Sequence, residues 1–345
     1  MLLIMRLTDE QARALTNADQ LYESWREVTR ALSKLPGGMY WRVINSREYL
    51  YQYAKTPVGL QQTKSLGPRT PEIEDKFQEF KQTKQDLDER RVAMEARLKE
   101  LAPAWRALRL PAIDRTAGRI LRALDQGDFV GTSVLVVGTY ALKAYEVESA
   151  SIFAAGMDAT DDLDFTLLVG SGDVDVDLPR RLLLMLKQAD SSFIVSPSSS
   201  HTLVNKSGYK VALLSNKSAA EKFSDARPWK PQPLEGQEWL LLGKPVSAVL
   251  IDFEGWPVPV SVPDPRYFAV HKLWLSARPG RPAAKRVKDA RQGKAALEVI
   301  AQYMPHYPID QAFVATLPDE LKKNLPSNAA GDKPAASSSD HPRRR

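Results

Sequence analysis

The segment "VLVVGTYALKAYEVESASIFAAGMDATDDLDFTLLVG", Val134 to Gly170, constrains the fold more than any other part of the chain. It opens with an apolar run, Val134–Val137, that reads as a buried strand. Gly138 and Thr139 follow, and Tyr140–Glu148 has a helical pattern. A second strand, Leu163–Val169, is entered through four acids, Asp158, Asp161, Asp162 and Asp164. On a strand, side chains two apart share a face, with Cα atoms about 6–7 Å apart, so Asp162 and Asp164 project together while Leu163 points away. Burying two carboxylates side by side is costly unless a cation or a hydrogen-bonding partner accompanies them. Asp158 and Asp161 read as loop acids. A strand start capped by acids accounts for an isolated Asp-x-Asp triplet. The upstream turn favours a further role, because Gly138 lets backbone N–H groups approach an anion at a helix N-terminus and Thr139 adds a hydroxyl.

Around this unit the chain alternates strands and helices from about residue 130 to 265. Strands are expected near Phe193–Ser196, Leu203–Val204 and Tyr209–Leu214, with a helix at Leu178–Ala189. A hairpin, Ala248–Phe253 and Val258–Val262, turns at Glu254-Gly255-Trp256. Helices are expected at Ala269–Ser276 and Ala283–Tyr303. Upstream, residues 1–35 read as a helix ended by Pro36-Gly37-Gly38. Tyr40–Ile44 is a strand and Tyr49–Tyr53 a second strand or helical turn. "LQQTKSLGPR" reads as a polar loop, and a long amphipathic helix spans Ile73–Trp105. The stripe of that helix includes Lys84 and Arg91, which fits an arm packed on its own chain better than a dry coiled coil, although a dimer or partner contact through residues 73–105 stays open. Pro103 and Pro111 are expected to break the pattern before a helix at Thr116–Gln126. The layout is therefore an α/β (α+β) chain: a helical N-terminal region with a small β element over 1–125, a mixed-sheet core over 126–265, C-terminal helices over 266–324, and a low-complexity tail, 325–345, expected to be disordered.

Composition narrows the function classes. The 345 residues contain no cysteine, which excludes disulfides and thiolate metal sites. "MLLIM" is too short for a signal peptide, and no apolar run approaches the roughly 20 residues of a membrane span, so a cytoplasmic location is expected. The net charge of +6 permits a polyanionic partner. Neither a P-loop nor a dinucleotide fingerprint is present. The four histidines, His201, His271, His306 and His341, lack metal-ligand spacing, and His271 reads equally well as a packed helix residue or a functional one.

The blocks "VVGTYALKAYE" and "ATDDLDFTLL" together resemble the nucleotidyltransferase superfamily, to which polymerase beta belongs. "GGMYWRVINSREYL", "SLGPRTPEIEDKFQEFK", "VPDPRYFAVHKLWLS" and "KRVKDARQGKAAL" bring the likeness closer to one bacterial branch of it, over residues 36–297. The resemblance implies transfer of NMP from an NTP such as ATP, with Mg²⁺ or Mn²⁺ as cofactor. Two metals about 4 Å apart would be held by Asp162 and Asp164. Gly138 and Thr139 would hold the β,γ-phosphates. Lys143 could reach a phosphate, although a solvated helix face also explains it. The basic run Lys272, Arg278, Arg281, Lys285, Arg286, Lys288, Arg291 and Lys294, broken only by Asp289, fits contact with a triphosphate or a polyanionic acceptor as well as it fits a solvated face.

Members of this superfamily supply a third carboxylate from a neighbouring strand, and the pattern implied here is Gly-Tyr-x-Val-Asp-Leu. This chain reads "GYKVALL", with Ala212 at the acid's position. Alanine neither ligates a metal nor accepts a proton. Three readings stay open: a nucleotide-binding relic, an engineered Asp→Ala knock-out, or substitution by another acid, with Asp252 favoured over Glu221 and Asp225. The function classes carried forward are an NTP-dependent transferase with an RNA, protein or small-molecule acceptor, and a catalytically dead nucleotide- or nucleic-acid-binding protein. The aromatics of "MYWRVINSREYLYQY" could stack on a base, though core packing is the plainer reading.

Overall fold

The computed structural model describes residues 4–55, 61–153, 162–168, 175–223, 225 and 228–325. Asp158, Asp161 and the tail from 326 onward lie outside the described residues. Helix α1, Asp9–Lys34, begins at a capping box: Thr8 Oγ1 accepts from Gln11 N at 3.2 Å, and Thr8 N donates to Gln11 Oε1 at 2.9 Å. Its buried side, Ala14, Leu15, Ala18, Tyr22, Trp25 and Val28, carries the apolar period of the sequence. Strands β1 (Gly38–Ile44), β2 (Arg47–Lys55) and β3 (Gln61–Pro68) form an antiparallel meander. The loop expected at "LQQTKSLGPR" is thus a strand. Its polar residues carry no period-2 signal, and pairing with β2 decides the outcome. The meander packs Leu50 and Trp41 inward, with Trp41 5.7 Å edge-on from Phe77. Tyr40 and Tyr51 stack on the opposite face.

Helix α2, Pro71–Ala107, continues past Pro103, where a break was expected. The proline lies close to the helix end, and the helix continues for only one more turn beyond it. The basic residues of its stripe are used within the chain: Lys84 Nζ donates to Gly37 O at 2.6 Å and Arg91 pairs with Glu95 at 2.9 Å. The last turns of α2 join α1 through Trp25, Leu98 and Trp105, and both pack on Val249 and Ile251 of a hairpin. That hairpin, Val246–Asp252 and Pro257–Val262, follows the core strands in the chain.

Helix α3, Arg115–Gln126, starts at Asp114, whose Oδ1 accepts from Ala117 N. Then come β4 (Val134–Val137), α4 (Tyr140–Glu148), β5 (Asp162–Leu167), α5 (Leu178–Ala189), β6 (Ile194–Ser196), β7 (Ser199–Val204) and β8 (Lys210–Ser215). Strand β9, Val246–Asp252, and β10, Pro257–Val262, form the expected hairpin, and α6 (Pro265–Ala277) and α7 (Ala283–Tyr303) close the core. The main sheet has the order β4-β5-β8-β7-β6, with Gln232–Pro233 added beside β8. Strand β5 runs antiparallel to β4 and parallel to β8, so the sheet is mixed. Its apolar residues, among them Val136, Leu163, Phe165, Val211 and Leu213, form one core with α3, α4, α5, α6 and α7. The architecture is mixed α/β, as expected. No helix among the described residues is long and apolar enough to cross a membrane.

The β9–β10 turn shows how the N-terminal helices are fixed to this core. Gly255 has φ +87°, and a Cβ there would stand 2.4 Å from Ala102 O of α2. Asp252 Oδ1 accepts from Glu254 N and Trp256 N to hold the turn. Replacing Gly255 with Ala combines left-handed strain with a backbone clash. Gly255→Ala should therefore lower unfolding free energy by roughly 2–4 kcal/mol in urea titration; a change below about 0.5 kcal/mol would mean the turn and α2 do not abut.

Candidate active site

The register of the main sheet builds the site. Val137, the last residue of β4, pairs with Asp164 of β5, and Asp164 pairs with Ala212 of β8. Paired positions on neighbouring strands share a face, so the end of β4, the second aspartate and Ala212 stand in one row. Asp162 lies two residues earlier on that face, beside Lys210. The turn after β4 folds back over this row. Gly138 has φ +72°, and a Cβ there would sit 3.0 Å from Asp164 Oδ2, so the glycine turn and a carboxylate meet with no side chain between them. Thr139 begins α4, and its Oγ1 accepts from Gln292 Nε2 of α7 at 3.3 Å.

Helices α6 and α7 supply the opposite wall. Phe268, His271, Lys272 and Leu275 recur at i, i+3, i+4 and i+7 on α6, while Lys285, Lys288, Asp289 and Gln292 do so on α7. Lys272 Nζ donates to Asp289 Oδ1 at 2.9 Å, and Arg281 Nε reaches Asp289 Oδ2 at 2.5 Å. Burial pulls the Lys272 ammonium below its ordinary range, against the attraction of Asp289. Burial pushes Asp289 the other way, but the Lys272 and Arg281 cations prevail and hold its carboxyl low. One carboxylate thus fixes two cations at the edge of the site.

Two adjoining cavities result. A small one, about 110 Å³, is lined by Gly138, Thr139, Asp162, Asp164, Lys272, Arg281, Lys285, Lys288 and Asp289. A larger one, about 290 Å³, shares Gly138, both aspartates and the first three cations. It extends along Ala212, Leu214, Leu234, Gln237, Leu240, Phe268, His271 and Leu275. The structure therefore brings together Asp162, Asp164, Ala212, Gly138, Thr139, Lys272 and Lys288. It does not bring Lys143 to them: the Nζ pairs with the buried Glu146 at 3.0 Å and lines neither cavity. Of the basic run, Arg278 grips Glu235 instead, at 2.8 and 3.1 Å.

Asp252, weighed as a replacement acid, is corrected. It lies fully buried in the other sheet, paired with Arg122 at 2.9 Å, where its carboxylate holds the β9–β10 turn. Glu221 and Asp225 line neither site cavity. Among the described residues, no group of three or more His, Asp or Glu side chains converges on one point. The pair that remains fits a hard divalent cation. Burial, then the neighbouring Asp162, pushes the Asp164 carboxyl up to about 6, although Lys272, Lys285 and Arg281 pull it down. Mg²⁺ is commonly held by one or two carboxylates with substrate phosphates completing the shell, and this donor set suits that mode. Gln237 was not singled out in the sequence, and His271 read equally well as packed or functional. The α6 spacing could have pointed to His271, whereas Gln237 sits in a segment without period.

The raised Asp164 pKa makes a signed prediction. Its proton is held more tightly in the folded state than in the unfolded one, where the ordinary value is 3.8. Stability is therefore lost as pH rises from 3.8 through about 6, and the loss is complete above that. In metal-free buffer Asp164→Asn should be more stable than the parent at neutral pH by on the order of 2–3 kcal/mol. The two should converge below the unfolded-state pKa, and millimolar Mg²⁺ should stabilise only the parent. Thermal melts across pH, with and without Mg²⁺, check this; pH-independent curves would contradict it.

The model of a nucleotidyltransferase family matches residues 115–317, more than half of the chain and all of the site described above. No curated protein and no solved structure matches the chain. With the glycine turn, the paired aspartates and the two-helix basic wall all inside the matched span, the chain belongs to the nucleotidyltransferase family.

Proposed function

We propose that this protein binds an NTP with Mg²⁺ for nucleotidyl transfer, and that in the given sequence the transfer step is slow because Ala212 stands where a proton acceptor is needed. The reading rests on one observation: Ala212 is in register beside Asp164 and lines a cavity together with Lys272, Arg281 and Lys285. The β- and γ-phosphates would lie against the Gly138–Thr139 turn, within reach of Lys272, Arg281, Lys285 and Lys288. Asp162 and Asp164 would hold the divalent cation, which when bound offsets charge on the phosphate oxygens. In the transfer, an acceptor oxygen or nitrogen bonds to the α-phosphorus, the bond to the β-phosphate oxygen breaks, and pyrophosphate leaves. The acceptor's proton needs a base. Asp164 would be engaged with the cation, and the methyl of Ala212 can take no proton. RNA and protein both carry suitable hydroxyl or amine nucleophiles.

A second reading, a nucleotide-binding protein without turnover, is favoured by the same alanine and differs only in whether any transfer remains. Both require Mg²⁺-dependent nucleotide binding. Calorimetry with a non-hydrolysable NTP should give binding in Mg²⁺ that weakens at least tenfold in EDTA or in Asp162→Asn and Asp164→Asn, each step of 1.4 kcal/mol being a factor of ten. Equal binding with and without Mg²⁺, or none at any Mg²⁺ concentration, would refute the assignment.

A further inference from the structure

The larger cavity ends in chemistry that phosphate does not use. Beyond the shared cations its walls are Leu214, Leu234, Leu240, Phe268 and Leu275. Four polar side chains, Gln232, Glu235, Gln237 and His271, also line it, and two of them carry a buried nitrogen without a partner among the described residues. Gln237, 3 % exposed, opens a 3₁₀ turn at Gln237–Leu241, and its Nε2 has no hydrogen-bond partner among the described residues. His271, 5 % exposed, lies on α6 with its ring centroid 5.5 Å from that of Trp274 and 6.5 Å from that of Trp239, and its Nε2 is likewise buried and unpartnered among the described residues. Leaving one buried polar group unmatched is unfavourable, and two lining the same cavity is a costly arrangement for a part that only has to fold.

We infer that Gln237 and His271 read the edge of the donor nucleotide's base, and so set which NTP the site prefers. This rests on the proposed phosphate placement, because the base compartment opens from the same Gly138, Asp162 and Asp164 that would face the phosphates. The chemistry suits an uncharged planar heterocycle. Burial, with Lys272 beside it, pushes the His271 pKa down to about 3, so the ring is neutral and offers a hydrogen bond without a charge. The Gln237 amide supplies a second bond, and Phe268 and the leucines supply apolar faces. A site built around hydrogen bonds to its ligand rejects ligands that leave those groups unpaired, which is how such a pair confers selectivity. The same base chemistry could belong to the end of an RNA acceptor, and binding measured with NTP alone separates the two sources.

The test uses the full chain with Mg²⁺ and compares the four NTPs with inorganic tripolyphosphate, for the parent, Gln237→Met and His271→Phe. The parent should bind one NTP most tightly. Each variant should weaken that NTP about tenfold and flatten the ranking of the four, while tripolyphosphate affinity stays unchanged. The melting temperature of Gln237→Met should hold or rise, since replacing an unpartnered buried amide by an apolar side chain removes an unmatched group; that variant carries the test if His271→Phe folds poorly. A parent that binds the four NTPs no differently from tripolyphosphate, or variants that keep the parental ranking, would overturn the base-reading role while leaving the phosphate site standing. A parent that binds neither NTP nor tripolyphosphate would overturn both.

Discussion

The site depends on one alignment, the row formed by Val137, Asp164 and Ala212 across three adjacent strands. Strand register is a discrete quantity. A slip of one residue in β5 would turn Asp162 and Asp164 into the core and bring Leu163 to the cavity. What prevents it is the burial of Leu163, Phe165 and Leu167 on the other side, each almost fully enclosed. The hydrophobic core thus holds the carboxylates in place, and the positive φ of Gly138 brings the following turn down onto them.

The second element is the α6–α7 pair. Its contacts to the sheet are apolar near Phe268 and Ala296, but its inner edge is ionic, with Asp289 gripping Lys272 and Arg281. A buried ion pair of this kind adds little net stability, yet removing one partner strands the other, which is why such groups position charge more effectively than they hold a fold together. The N-terminal helices form a second apolar cluster against Val249 and Ile251 of the β9–β10 hairpin. Tyr22 donates to Asp125 at 2.9 Å and the Arg26 guanidinium lies 3.4 Å from that carboxylate, which ties α1 to α3 well away from the cavity.

Much of this was legible in the sequence because it is locally encoded. The Leu178–Ala189 helix carries a clear apolar period, and β4, the Gly138 turn and β5 follow from a run of valines, a glycine and alternation. The departures come from contacts that local pattern does not carry. Gln61–Pro68 is polar and becomes a strand only because β2 presents an edge. Asp252 looks like a strand acid aimed at a site until the second sheet places it against Arg122. Lys143 has the right spacing from the turn but pairs with Glu146 three residues on in the same helix, a local competitor whose burial is not visible in the sequence. Gln237 follows a left-handed glycine in a segment without period, and only the closed cavity shows its unpartnered amide.

Ala212 marks where the architecture and the proposed chemistry separate: the row is intact in register and, on the proposed reading, lacks its proton acceptor. The most direct measurement is the rate of pyrophosphate release and of labelled NMP transfer onto cell extract, comparing the given chain with Ala212→Asp in NTP and Mg²⁺. Restoring a proton acceptor in register with Asp164 should raise both rates by about 10²–10⁴-fold, the range for a positioned general base. Equal rates in the two chains would contradict the account.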